Sequence, residues 1–122
     1  MYEVKIRETS FELTSRERIR IKDLQNAHKL DELVTPESPF SFEFGGYAIL
    51  DIHNDNSKDN IDYTNYLVFD RDGNKYYTGS KSFWNSMWEI ISEMDDEEYS
   101  VEVTKHESKN YKGKFFLTAS IL

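Results

Sequence analysis

The order of patterns in the last two-thirds of this chain constrains its fold more than any other feature. Phe40-Ser41-Phe42-Glu43-Phe44 alternates aromatic and polar residues, the period of a strand. Gly45-Gly46 predicts a bend or bulge, and Tyr47 to Ile52 continues the strand. Tyr63 to Asp70 is a second strand. Asp72-Gly73 signals a hairpin turn, returning through a short third strand from Asn74 to Thr78. Gly79-Ser80 then opens a helix, with Ser80 or Ser82 as N-cap. Within it Phe83, Met87, Ile90, Ile91 and Met94 form one stripe at helical spacing. Tyr99 to Thr104 and Phe116 to Leu122 are two further strands. Five strands with a helix between the third and fourth is the layout of an OB-fold, a small barrel that often binds oligonucleotides.

The expectation is therefore a β-rich α+β fold in one domain of 122 residues. Residues 39–122 form an OB-like five-stranded barrel with one helix between strands 3 and 4, and residues 1–38 form an N-terminal extension. Tyr2 to Arg7 alternates as a short strand. Between Thr14 and Val34 two periods compete. Thr14 followed by Glu17 is a capping-box pattern, and Leu24, Ala27, Leu30 and Leu33 recur near helical spacing. Against this, Arg16, Arg18, Arg20 and Lys22 alternate with Glu17, Ile19 and Ile21. The reading favours a strand over 17–22 and a less regular, partly helical segment over 23–34. Thr35 to Pro39 holds both prolines and reads as a linker.

Composition narrows the chemistry. With no cysteine, disulfides, thiol catalysis and cysteine-based zinc sites are excluded. Three scattered histidines do not make a zinc site. No apolar run approaches the roughly 18 residues of a membrane span, and Met1-Tyr2-Glu3-Val4-Lys5 does not resemble a signal sequence. These features predict a cytoplasmic protein. The net charge of −8 argues against coating duplex DNA, where affinity rests on neutralising phosphates. It is compatible with single-strand binding, in which bases stack on aromatic rings, and aromatic residues make up 15% of the chain.

Basic and aromatic residues meet in the segment joining the last two strands. Lys105, Lys109, Lys112 and Lys114 surround Tyr111 within ten residues of an otherwise acidic chain. In an OB-fold this connection is one of two loops that contact nucleic acid. Lysines would meet phosphates and Tyr111 would stack on a base. The alternative is a solvated hairpin connection with Asn110 and Gly113 as turn residues. A second candidate is the outer face of the second and third strands, which takes Tyr66 and one of the oppositely pointing Tyr76 and Tyr77; Tyr66 and Tyr77 are the candidate stacking residues and Lys75 a candidate phosphate contact. The alternative there is that the tyrosines pack the barrel. The stripe Arg16, Arg18, Arg20 and Lys22 could track a phosphate backbone only from a strand, and otherwise is a solvated face.

Other motifs fail on their spacing. Gly79-Ser80-Lys81-Ser82 lacks the order of a phosphate loop. Asp55, Ser57 and Asp59 begin like a calcium loop, but Asn60 and Tyr66 stand where glycine and glutamate are needed. Asp51 and His53 have no evident third ligand, and no nucleophile–base set is recognisable. No catalytic residue, metal or cofactor is expected.

Three stretches carry a resemblance: Leu13-Thr14-Ser15-Arg16-Glu17-Arg18 through Leu30-Asp31-Glu32, Thr78-Gly79-Ser80-Lys81-Ser82-Phe83, and Ser108-Lys109-Asn110-Tyr111-Lys112-Gly113-Lys114. With them the chain resembles a family of short acidic proteins from phages and mobile elements of Gram-positive bacteria. That resemblance implies a small single-stranded DNA-binding replication protein in a bacterial cytoplasm, with Lys109, Tyr111 and Lys112 as binding residues. A rival reading is an acidic phage inhibitor. Asp51, Asp55, Asp59, Asp62, Asp70, Asp72 and Asp95-Asp96-Glu97-Glu98 would imitate DNA phosphates and enter a basic cleft on a host protein.

Overall fold

Ten elements follow one another in the computed structural model, which describes residues 2–56, 58, 60–95 and 97–122. They are β1 (Tyr2–Thr9), α1 (Ser15–Lys22), β2 (His28–Lys29), α2 (Leu30–Leu33), β3 (Phe40–Asn54), β4 (Asp62–Asp70), β5 (Lys75–Thr78), α3 (Lys81–Met94), β6 (Ser100–Glu107) and β7 (Phe115–Ile121). Met1, Ser57, Asp59 and Asp96, named above, lie outside the described residues. The fold is β-rich α+β. The five strands read over 39–122 are β3 to β7, with α3 between the third and fourth of them. β1 and β2 bring the described strands to seven rather than five. Hydrogen-bonded neighbours run β2-β5-β4-β3-β6-β7, and β1 also pairs with β3.

The chain divides into two compact units. One comprises Met1–His28 and Gly45–Gly79, the other Lys29–Phe44 and Ser80–Leu122. The segment read as an N-terminal extension is thus shared between them. β3 changes unit at its glycine pair. A Cβ on Gly45 would stand 2.6 Å from the Asp70 carbonyl oxygen, closer than any side chain tolerates. Glycine here permits a close backbone approach.

In the first unit β1 runs antiparallel to β3, from Tyr2 opposite Asn54 to Thr9 opposite Ala48, with a bulge between Ile6 and Glu8. Ile21, Ala48, Leu50 and Leu67 form its core, packed by Val4, Ile6, Leu13, Leu24, Phe69 and Tyr77. The β4–β5 hairpin turns at Gly73, whose φ of +88° suits glycine. The Asp70 carboxylate accepts from the Asp72 and Asn74 backbone N–H groups at 3.0 and 2.8 Å. It also accepts from Asn74 Nδ2 at 2.8 Å and from the Tyr76 hydroxyl at 3.0 Å.

Residues 15–22 form a helix, not a strand. Glu17 N–H donates to Thr14 Oγ1 at 3.2 Å, and Thr14 N–H donates to Glu17 Oε1 at 3.0 Å. This is the complete capping box, which satisfies donors that a helix start otherwise leaves orphaned. A strand would send Ile19 and Ile21 to one face. Here Ile21 is 4% exposed and Ile19 70%. The basic stripe therefore scatters around the helix and does not track a backbone.

In the second unit β6 pairs with the first residues of β3, Phe40 opposite Val103 to Glu43 opposite Ser100, and with β7 on its other side. Phe83, Met87, Val101, Val103 and Leu117 are buried, each large side chain contributing roughly 1.5–3 kcal/mol. The Ser80 hydroxyl caps α3 by accepting from Phe83 N–H at 3.2 Å. α3 also closes part of the free edge of β7. Ser82 Oγ donates to the Leu117 carbonyl at 2.9 Å, and Ala119 N–H donates to Ser86 Oγ at 2.8 Å.

Candidate nucleic-acid interface

The antiparallel register of β6 and β7, from Val101 opposite Ile121 to Glu107 opposite Phe115, presents residues 108–114 as the tip of a hairpin. Two backbone bonds shape that tip: Ser108 N–H to Lys114 O at 2.8 Å and Lys114 N–H to Tyr111 O at 3.2 Å. Gly113 has φ +81°, a left-handed conformation that glycine adopts without steric cost. The result holds Tyr111 out in solvent, 65% exposed. The Lys114 ammonium lies 6.0 Å from the Tyr111 ring centroid, within cation–π range. Lys109 and Lys112 are exposed. This is an electropositive tip with one aromatic ring.

Lys105 differs from the other lysines of the segment. Its ammonium donates to the Asp31 carbonyl of α2 at 2.9 Å and stands 5.7 Å from the Phe115 ring centroid. It ties the base of the hairpin to α2. His106, Phe115 and Phe116, not singled out in the sequence, are also exposed at this end. A signal for the last two was present, because adjacent strand residues point to opposite faces and Phe115 and Phe116 could not both enter one core.

The second expected patch takes another form. Tyr66, Leu67 and Val68 are all buried, so both faces of β4 are covered and Tyr66 packs inside rather than offering a ring to solvent. Tyr76 is buried, and Tyr77 packs on the core of the first unit. Burial, with the Asp70 carboxylate on its hydroxyl, raises Tyr76 to about 12. Lys75 donates to the Arg20 and Asp23 carbonyls at 2.8 and 2.9 Å. It caps the C-terminus of α1, where a cation also meets the negative end of the helix dipole. Tyr66, Lys75 and Tyr77 belong to the first unit, whereas Lys105, Lys109, Tyr111, Lys112 and Lys114 belong to the second.

The first unit has a cleft of about 680 Å³ with carboxylates on its walls. Arg7 grips Asp51 with two nitrogens, Nε at 2.9 Å from Oδ2 and Nη2 against Oδ1. Thr64 Oγ1 donates to the same carboxylate at 3.1 Å. The Arg7 hydrogen bond holds Asp51 below the ordinary aspartate range. His53, two residues along β3 from Asp51, has Nδ1 2.7 Å from Asp62 and Nε2 2.7 Å from Asp55. These bonds, Asp62 first, raise its pKa above the ordinary histidine value. Among the described residues no cluster of histidine and acidic side chains could hold a metal ion. A phosphate mimic needs carboxylates free to meet a partner's cations. Asp51, Asp55, Asp62 and Asp70 are engaged within the chain, Asp72, Asp95, Glu97 and Glu98 are exposed, and Asp59 and Asp96 lie outside the described residues.

Comparison with known proteins finds no matching family model, no similar curated protein and no similar solved structure. No described helix is long and apolar enough to cross a membrane.

Proposed function

We propose that the chain is a non-catalytic binding protein for single-stranded nucleic acid, DNA in the first instance. On this reading β3 to β7 with α3 make an OB-like five-stranded core, a description supported by the position of α3 between β5 and β6. The hairpin tip between β6 and β7 is then the contact loop of that fold. Tyr111 stacks on a base, and Lys109, Lys112 and Lys114 hold the flanking phosphates. A role in replication of a phage or mobile element, inside a bacterial cytoplasm, rests on the sequence resemblance alone.

The observation that carries the proposal is the solvated tip. Lys109, Lys112 and Lys114 stand with no acid among them over residues 108–114, in a chain of net charge −8, and Tyr111 is held 65% exposed among them. An exposed aromatic ring beside unneutralised cations suits a substrate that offers both base faces and phosphates. Duplex DNA offers only the phosphates in accessible form.

The test is fluorescence anisotropy of a labelled oligo-dT at two salt concentrations, with duplex DNA as control. Salt-sensitive binding to the single strand and little to the duplex is expected. Tyr111→Ala should weaken single-strand binding by about 1–3 kcal/mol. Lys109→Ala should reduce both the affinity and its salt dependence. Affinities unchanged by both substitutions would remove the assignment.

A further inference from the structure

We propose that the solvent face of the β6–β7 hairpin carries a second base-stacking site, built on Phe116 and His106 and separate from the tip. It rests on the single-strand reading and adds to it a surface on regular strands. Phe116 stands directly opposite His106 in the antiparallel register. Their rings are stacked, with centroids 5.2 Å apart and planes inclined by 26°. Such a cross-strand pair shares one face of the sheet. Here that face is the one turned away from the buried Val101, Val103, Leu117 and Ala119. Phe116 is 40% exposed, and His106 is exposed as well.

The pair is held in place before any ligand arrives. His106 Nε2 is 2.9 Å from Thr118 Oγ1, the next residue on the same face of β7, and this hydrogen bond fixes the imidazole beside the phenyl ring. A ring that is already ordered loses little freedom when another ring lies on it. Phe115 faces the other way and has the Lys105 ammonium 5.7 Å from its ring centroid, so it is not part of this surface.

Charge selects the occupant. The segment that leaves His106 and returns at Phe116 carries Lys109, Lys112 and Lys114 against Glu107. Glu102 shares the face of His106 but stands four residues further along β6, so the excess of cations lies at the tip end of the face, where it suits a polyanion with flat rings. Only unpaired bases expose ring faces to a side chain, so the occupant is single-stranded nucleic acid.

The experiment compares binding of the whole chain to labelled oligo-dT and to an abasic oligomer of equal length, which keeps the phosphates and lacks the bases. Phe116→Ala is expected to lose about tenfold in affinity for oligo-dT. It should leave abasic binding and its salt dependence as in the parent chain. Phe116→Leu, which keeps an apolar side chain on the strand, should show the same loss with an unchanged melting temperature. This second variant decides the matter if the alanine variant does not fold. Parent-like affinity of the variants for oligo-dT would overturn the second stacking site while the single-strand reading stands. Equal losses on both oligomers would overturn it too, because the role would then be contact with the backbone or support of the hairpin. Failure of the parent chain to bind either oligomer would overturn the single-strand reading and this site with it.

Discussion

The two units use charge in opposite ways. In the unit of Met1–His28 and Gly45–Gly79, several charged side chains are engaged with their own neighbours. Arg7 holds Asp51, His53 bridges Asp55 and Asp62, Lys75 caps α1, and Asp70 organises the β4–β5 turn. At the hairpin tip of the other unit Lys109 and Lys112 are exposed to water, and Lys114 leans on an exposed tyrosine. The teaching is that net charge does not locate a binding surface. A chain of charge −8 can engage some of its acids internally and still present cations where a ligand would meet them.

The sharpest way to break this contrast is to remove a charge from the first unit. Asp70→Ala leaves the Tyr76 hydroxyl and two turn N–H groups without their acceptor. Losing these hydrogen bonds, exposed at the turn and part-buried at Tyr76, should together cost about 2 kcal/mol in urea unfolding, with oligonucleotide affinity unchanged. A loss of affinity at unchanged stability would instead make the β4–β5 turn part of the interface.

A smaller effect compares two lysines. Lys75→Met removes two hydrogen bonds at the end of α1 and should cost about 1 kcal/mol without altering affinity. Lys112→Met should do the reverse, leaving stability within about 0.5 kcal/mol and lowering the salt dependence of binding. If both lysines behaved alike, the distinction between engaged and presented cations would fail.

The smallest effect is a pH dependence confined to the first unit. His53 has its folded pKa raised by Asp62 and Asp55. Its contribution is therefore complete below the unfolded value of about 6.5 and is lost as pH rises through the folded value. Only a protonated ring can donate to both aspartates at once. Amide exchange in the segment between β3 and β4 should therefore speed up, beyond its intrinsic rise, as pH passes above the ordinary histidine range. In His53→Gln that extra step should be absent. Its persistence in the variant would assign it to another group.

Where partners are close in sequence, the fold could be read directly. Strand alternation gave β3, β4, β6 and β7, and the spacing of Phe83 and Met87 gave α3. The segment over 17–22 was misread because alternating arginine and isoleucine imitates a strand over a few residues. The Thr14–Glu17 pair carried the better information, since it reports a local backbone requirement. The tip lysines and Tyr111 could be read as an exposed loop from its turn residues. Lys75 and Lys105 could not be told from them, because their acceptors lie 52–55 and 74 residues away. Nor could the burial of Tyr66, since alternation says which face a residue is on and not what later covers that face.

The two serines of α3 that reach the backbone of β7 matter for more than the packing of a helix. β7 reads Phe-Phe-Leu-Thr-Ala-Ser-Ile, with no charge and no proline, a segment of the kind that seeds fibrils when its edge is bare. Ser82 and Ser86 occupy the outward Leu117 carbonyl and Ala119 N–H that an incoming chain would need. Copies of the chain at high concentration thus have less to grip in each other's edges, and the chain can be concentrated with less tendency to solidify.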